Sequence, residues 1–576
     1  MSASPARRAQ QLRLRENQLF LILTIVIGII AGLAAVLFTL AIDRASHRFL
    51  GLAPSRLRLL AIPPLVSIVT GVLLAKAFPD VRGSGVPQTE AAYHLHGGVI
   101  PGRVPFGKFL TGVLCIGSGH SMGREGPSVQ IGAGLASLAG RWLRLSPRRV
   151  RDLVPVGAAG ALAAAFNTPV AAVLFALEEI IGDMNAALIG STVVASVAAV
   201  IVERSILGNE PLFHVPTYRL VHPAELVAYA ALGIAGGVVS LIFCKGLLAL
   251  RSLFLRLPAR TRILQPAVGG LIIGGILLYS PAIRGVGYEY VDQALNGGLV
   301  LKTMAILCFL KLAATIVSYA SGNAGGIFGP SLYIGAMAGG AVGWLVHRIA
   351  PFPTGDPGAY ALVGMGTLFA GIIRAPMTSV FMIFEITQDY QILVPLMVAN
   401  LLSLIISRHY QPVPVYHALL HQDGVHLPSP ATQAARAAKT AREVMQTDVM
   451  FMPPDLSLEA AWRWALEHDA PVYLVGTRER LLGAVAHQQL EEWKSTEKAK
   501  EPVSSVVKNT IIHAHADHPI DIVLERLAES GGVLPIVSRT EFHRVEGVVT
   551  PDSILPIRGR RSHAKTAETP LVGWLG

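Results

Sequence analysis

Two six-residue runs, Gly123-Arg124-Glu125-Gly126-Pro127-Ser128 and Gly326-Ile327-Phe328-Gly329-Pro330-Ser331, each interrupt a long apolar stretch with glycines and a proline. In an apolar setting such a break frees a helix N-terminus, where unpaired backbone N–H groups and the positive end of the helix dipole attract a negative charge. Two such ends in one chain imply an anion path across a bilayer. Glu125 stands inside the first run, and a carboxylate between apolar segments is costly unless it titrates or has a partner. Ionised, it can fill an anion site and close the path; protonated, it is neutral and can swing away. The bland alternative is a capping carboxylate paired with Arg124. Glu178 and Glu179 form a second acidic pair, which can also be read as the interfacial end of a helix.

The elements that must position these groups are membrane helices. Only 15% of the residues are charged and the mean hydropathy is +0.52, which excludes an ordinary soluble fold. Leu19 to Ile42, Leu226 to Cys244 and Tyr390 to Ser407 are free of charge and long enough to span; other apolar stretches are broken by Gly and Pro, so tilted, interrupted helices are expected. The run after Leu19 is too long for a cleavable signal, and Arg7, Arg8, Arg13 and Arg15 before it place the N-terminus in the cytoplasm. The net charge of +11 sits largely in tails and loops beside spans, which points to anionic lipid and not to nucleic acid. Cys115, Cys244 and Cys308 lie in apolar segments and are expected to pack as inert thiols, with no disulfide framework and no metal site.

The chain also repeats itself. Ser118-Gly119, the first run, and Ile131-Gly132-Ala133 recur 203 positions later as Ser321-Gly322, the second run, and Ile334-Gly335-Ala336. Pro169-Val170-Ala171-Ala172-Val173 and Glu178 recur 207 positions later as Pro376-Met377-Thr378-Ser379-Val380 and Glu385. The loop after the first copy carries Arg141, Arg144, Arg148, Arg149 and Arg151, whereas Pro351 to Gly358 carries no Lys or Arg. That asymmetry predicts halves of opposite orientation whose broken-helix ends meet near the midplane. Glu178 and Glu385 are expected to be structural. Gly119-His120-Ser121-Met122-Gly123 spells a hydrolase nucleophile elbow, but the soluble strand–turn–helix context is missing, and His120 reads as a lone polar residue near a helix break. No His is followed by Glu, which removes an H-E-x-x-H protease, and the helix N-termini argue against a cation channel lined by carboxylates. No enzyme is expected.

Gly83-Ser84-Gly85-Val86-Pro87, the two runs above, Asn167-Thr168-Pro169 leading to Glu178-Glu179, and Tyr416 stand in an order and spacing that resembles the CLC family of chloride channels and proton/chloride exchangers. The resemblance implies an all-α polytopic membrane domain of two inverted repeats, in a homodimer with one pathway per subunit. It implies that the Ser84 and Tyr416 hydroxyls and the backbone N–H groups of Ile327 and Phe328 bind the anion, with Ser84 pointing to chloride where proline would go with nitrate. Glu125 becomes the gate, and Glu179 the internal proton acceptor that distinguishes exchangers from channels. The expected activity is therefore proton-coupled chloride antiport, with a passive, voltage- or pH-gated chloride channel as the alternative, and a sensor that no longer transports as a remote one. No cofactor is required; a bacterial-type inner membrane is the expected location.

The domain reading is a basic tail over 1–18, a transport domain over 19–421 with repeats near 60–205 and 265–410, and a linker over 422–440. Two strand–helix–strand units follow, at 441–495 and 500–558, then a tail over 559–576. The two units resemble a tandem pair of CBS domains, a cytoplasmic α/β module that often binds adenine nucleotides. Thr550-Pro551-Asp552 matches where such domains hold a ribose; Ala486-His487-Gln488-Gln489 in the first unit lacks the acid, so the resemblance allows one nucleotide site and leaves a pure dimerisation platform as the alternative.

Overall fold

The computed structural model describes residues 5–51, 53–183, 186–208, 212–213, 215–216, 220–427, 439–468, 470, 472–493, 499–507 and 511–554. The core of the expected linker and the tail over 559–576 lie outside them. The chain forms two compact units, Met1–Leu427 and Pro428–Gly576.

The first unit is helical. In chain order it holds α1 (Pro5–Phe49), α2 (Arg56–Lys76), α3 (Val86–Leu95), α4 (Arg103–Gly117), α5 (Glu125–Trp142), α6 (Pro147–Phe166), α7 (Pro169–Phe175), α8 (Ala186–Leu207) and α9 (Glu225–Arg256). It continues with α10 (Gln265–Tyr279), α11 (Tyr288–Leu295), α12 (Leu301–Ala320), α13 (Phe328–Ile349), α14 (Pro357–Ile372), α15 (Pro376–Thr387), α16 (Leu393–Tyr410) and α17 (Val415–Gln422). Six helical segments among the described residues are long and apolar enough to cross a bilayer: Phe20–Phe49, Arg56–Lys76, Leu188–Leu207, Glu225–Arg256, Leu301–Ala320 and Tyr390–Gln422. The protein is thus an integral, multi-pass membrane protein. α1 begins at Pro5, inside the segment read from sequence as a tail, because its Ala, Gln, Leu and Arg residues favour helix.

Glycines allow the closest helix pairs. A methyl at Gly132 of α5 would collide with the Gly157 carbonyl of α6, and one at Gly157 with the Gly132 carbonyl. Gly335 of α13 and Gly364 of α14 stand in the same mutual relation. With no side chain between them the backbones approach closely, which is how helices gain packing energy where lipid is as apolar as leucine. The sequence repeat therefore carries into the packing, at the same offsets of 203 and 207.

The second unit contains strands. β1 (Phe451–Met452) pairs parallel with β2 (Val472–Gly476), which pairs antiparallel with β3 (Leu481–Ala486). The Leu458–His468 helix links β1 to β2, a crossover that parallel pairing requires. The same order returns as an Ala514 bridge to Ile536, the helix Ile520–Glu529, β4 (Leu534–Val537) and β5 (Val545–Val549). Each half has its own core, around Val475 and Leu458 in the first and Ile536 and Val523 in the second.

Candidate functional site

The three glycine-rich signatures meet through their backbones. The Gly83 N–H donates to the Asn323 carbonyl at 3.2 Å, and the Gly83 carbonyl accepts from Gly325 N–H at 3.0 Å. Gly123 and Gly326 form an antiparallel bridge. These pairings satisfy irregular backbone that lipid could not. Buried Lys108 adds to them, its Nζ donating to the Val81 and Gly83 carbonyls at 2.6 and 2.9 Å and so holding the loop that presents Ser84. Gly85, at φ 101°, makes the left-handed turn between Ser84 and the start of α3 at Val86.

Glu125 is fully buried at the first turn of α5. Its carboxylate serves another helix: Oε2 accepts from the Gly329 N–H at 3.1 Å, in the first turn of α13. Oε1 accepts from the Tyr288 hydroxyl at 2.5 Å. An ideal Cβ on Gly329 would lie 3.1 Å from Oε1 and 3.0 Å from Oε2, so glycine there opens the seat. The pairing with Arg124 considered from sequence is not among the ion pairs of the described residues; the Arg124 guanidinium instead lies 5.7 Å from the centroid of the Tyr288 ring. Thus a carboxyl group sits at the broken-helix N-terminus, and it is the protein's own.

Ser84 and Tyr416 are both fully buried, and neither hydroxyl has a hydrogen-bond partner among the described residues. They lie close enough to each other to interact, and Tyr416 is within electrostatic reach of both Glu125 and Glu179. Unpartnered buried hydroxyls are rare because desolvation without a hydrogen bond is expensive; this pair keeps two O–H groups free to donate. Gly126 leaves the room: a methyl there would run into Ser84 Oγ. The N–H groups of Ile327 and Phe328, at the cap and first position of α13, have no acceptor among the described residues. The Phe328 ring is wedged between Phe166 and Phe369, with centroids at 4.9 and 4.4 Å.

Glu178 and Glu179 separate clearly. They lie in a π-helical turn, Ala176–Ile181, that extends α7. Glu178 accepts from the N–H groups of Met377 and Thr378 at 3.0 and 2.8 Å, and from Thr378 Oγ1 at 2.7 Å, capping α15. Glu385 returns the contact, accepting from Val170 and Ala171 N–H at 2.9 and 2.8 Å at the start of α7. Glu179 makes no such cap among the described residues; Glu90, Glu178 and Arg374 are charged groups that act on it. Buried Glu90 is itself bonded to His417 at 2.5 Å.

His120 is enclosed by the hydroxyls of Ser67 and Ser318, at 2.7 and 3.4 Å, with no carboxylate partner among the described residues. The three cysteines are free thiols. No cluster of His, Cys, Asp or Glu among the described residues is placed to hold a metal ion. In the second unit Thr550 is engaged with Ser553 at the start of the short helix Pro551–Ile554, its N–H donating to Ser553 Oγ at 3.0 Å. A cavity of about 210 Å³ in that unit is lined by residues such as Gln489, Trp493, Ile512 and Pro535, and not by Thr550 or Asp552.

Sequence reasoning missed three residues of the site: Lys108, Lys311 and Tyr288. Both lysines are fully buried and donate only to carbonyls; Lys311 Nζ reaches those of Ile283 and Gly285 at 2.9 and 2.7 Å. Their separation of 203, equal to that of the signature runs, was an available signal. Tyr288 carried none, because its partner is 163 residues away.

Comparison with known proteins places this geometry. Residues 65–408 match the family described as voltage gated chloride channel. The H(+)/Cl(-) exchange transporter ClcA of Vibrio campbellii is 31% identical over 417 residues, covering 70% of this chain and 89% of that protein. A putative chloride channel protein, ClcB-like, from Ralstonia nicotianae is 34% identical over 347 residues, 59% of this chain and 80% of its own. Among solved structures, a slow cyanobacterial Cl-/H+ antiporter superposes with a TM-score of 0.65 at 29% identity, over 70% of this chain and 97% of that one. A eukaryotic CLC transporter superposes with a TM-score of 0.64 at 20% identity, over 93% of this chain and 97% of its own, a likeness of fold that extends beyond the membrane unit.

Proposed function

Because the chain belongs to the voltage-gated chloride channel (CLC) family, we propose that it exchanges chloride for protons across a membrane, with Glu125 as the gate. The observation that carries this reading is the Glu125 carboxylate seated on the Gly329 N–H, where an anion would otherwise sit. Protonation removes the charge that holds it there, so the seat passes to chloride and the proton leaves with the side chain. Chloride is held by neutral donors: the Ser84 and Tyr416 hydroxyls and the N–H groups of Ile327 and Phe328. Such donors replace water without binding so tightly that release fails. Glu179 is the internal proton acceptor, a role favoured by its lack of a capping partner and its electrostatic reach to Tyr416.

The reading extends to two inverted halves, supported by the antiparallel Gly123–Gly326 bridge and the reciprocal caps of Glu178 and Glu385. It also includes a homodimer with separate pathways, cytoplasmic termini, a bacterial inner membrane and a C-terminal CBS pair. The repeated strand–helix–strand order supports the last, and an adenine nucleotide at Thr550 and Asp552 stays a proposal for binding assays. The relative named as a putative chloride channel keeps the passive-channel reading in play. Reconstitution in liposomes separates the two: a chloride gradient should drive protons uphill, and currents that reverse at the chloride Nernst potential with no proton movement would leave a channel.

A further inference from the structure

Tyr416 is followed on α17 by His417 and, one helical turn later, by His421. Residues four apart share a helix face. Gly424, at φ 77°, turns the chain back after α17, and the His426 ring stacks on that of His421 with centroids 4.6 Å apart. Both of these histidines are exposed. His417 lies deeper: its side chain is 31% exposed and is bonded through Nε2 to Glu90 Oε1 at 2.5 Å, where the Glu90 side chain is only 4% exposed. The other oxygen, Glu90 Oε2, is buried with no hydrogen-bond partner among the described residues. Glu90 belongs to α3, which packs against the π-helical turn carrying Glu179, and its charge acts on Glu179. Exposed imidazoles, a partly buried imidazole, a buried carboxyl group and Glu179 thus follow one another from the surface inward. Glu178 is no substitute for this series, because its two oxygens are engaged with three donors at the start of α15.

We propose that His417 is the proton entry for Glu179, taking protons from water at the protein surface and passing them inward through Glu90. The proposal deepens the reading of Glu179 as internal proton acceptor and rests on it. In the first step the imidazolium Nε2–H bond breaks as an O–H bond forms on Glu90 Oε1, and the neutral imidazole takes its next proton from water. In the second, Glu90 releases that proton to the Glu179 carboxylate and is again an anion able to accept. Imidazole suits the outer position because it both loads and unloads near neutral pH. The groups that act on His417 are Glu90 and His94 from α3, Arg374 from the segment between α14 and α15, and His421 on its own helix. Arg374 is pinned to the Ser407 and Pro412 carbonyls at 3.2 and 2.8 Å. Arg251, from α9 on the other side of α17, is occupied by Gln422 and Asp423 at 2.8 and 2.6 Å. Glu90 is therefore the carboxyl group placed to take a proton from His417.

The test is proton and chloride flux, recorded in parallel from the full-length protein in liposomes under a chloride gradient, for wild type, His417→Gln and His417→Ala. Glutamine can still hydrogen-bond Glu90 but takes up no proton near neutral pH. Both variants should lose about tenfold or more in proton flux, since a positioned proton donor is worth ~100-fold or more in rate and water retains a slower access. Chloride should continue to flow, so that the ratio of protons to chloride falls. His417→Gln should also unfold in detergent at the wild-type temperature, which separates a lost relay from a lost fold. A merely structural clamp gives the opposite pattern, with wild-type coupling in His417→Gln and a loss confined to His417→Ala. That pattern overturns the proposal, as does wild-type coupling in both variants. A wild-type protein that moves no protons would remove the exchange reading and the relay with it, whereas a coupled wild type with unimpaired His417→Gln removes the relay alone.

Discussion

Gly123 and Gly326 exchange both of their backbone hydrogen bonds, N–H to carbonyl at 2.7 Å in one direction and 2.8 Å in the other. This two-residue ladder joins the two signature runs back to back. Glu125 lies two residues beyond one end and Gly329 three beyond the other, so the carboxylate reaches the N-terminus of α13 across a short path. The proposed gate and the helix end it contacts are therefore joined through one backbone bridge.

Glu125→Gln replaces the titratable group with a permanent neutral analogue. Chloride flux should persist, lose its dependence on pH and become uncoupled from protons. Flux and proton transport in reconstituted vesicles read this directly, and wild-type coupling in the variant would remove Glu125 from the mechanism.

Ser84→Pro removes a hydroxyl from the proposed anion site, which also includes Tyr416. Nitrate transport should rise relative to chloride, because the path loses a hydroxyl donor that favours chloride. Anion-exchange assays in the two salts check it; an unchanged preference would mean that Ser84 does not line the path.

Glu179→Gln should abolish proton movement while chloride still flows, since only the proton route needs a titratable group there. Parallel proton and chloride flux traces decide the point, and retained proton pumping would relocate the internal acceptor.

Glu178→Ala touches the adjacent residue and should do something different. It removes the acceptor for Met377 N–H, Thr378 N–H and Thr378 Oγ1 at the start of α15. A loss of about 2 kcal/mol is expected for a charged cap of this kind. Thermal unfolding in detergent should fall by several degrees with proton coupling intact, and loss of coupling without destabilisation would contradict a structural role.

Lys108→Met removes the Lys108 donor from the Val81 carbonyl, at about 1–3 kcal/mol for a buried group left unpaired, and leaves the Gly83 carbonyl with the Gly325 N–H alone. Lower thermal stability and weaker chloride binding should appear together, because the same loop carries Ser84. A variant that keeps both would show that the loop is held by its Asn323 and Gly325 pairings alone.

Much of this molecule is legible in one dimension because its causes are local or periodic. Apolar length identifies the lipid-spanning helices, and glycine with proline marks where they break, since both effects act within a few residues. The internal repeat exposed the two signature runs and the equivalence of Glu178 with Glu385. In the second unit the helix at Leu458–His468 and the strands Val472–Gly476 and Leu481–Ala486 lie where apolar runs between turn residues put them. What tertiary structure alone decided is which partner each buried polar group finds. Sequence could offer Arg124 as the neighbour of Glu125, yet the carboxylate bonds to groups 163 and 204 residues away. It could pair Glu178 with Glu385 as equivalents, but not show that each caps the other's half. Buried charges and hydroxyls must be satisfied by whatever the fold brings within about 3 Å, and at that range chain separation says nothing.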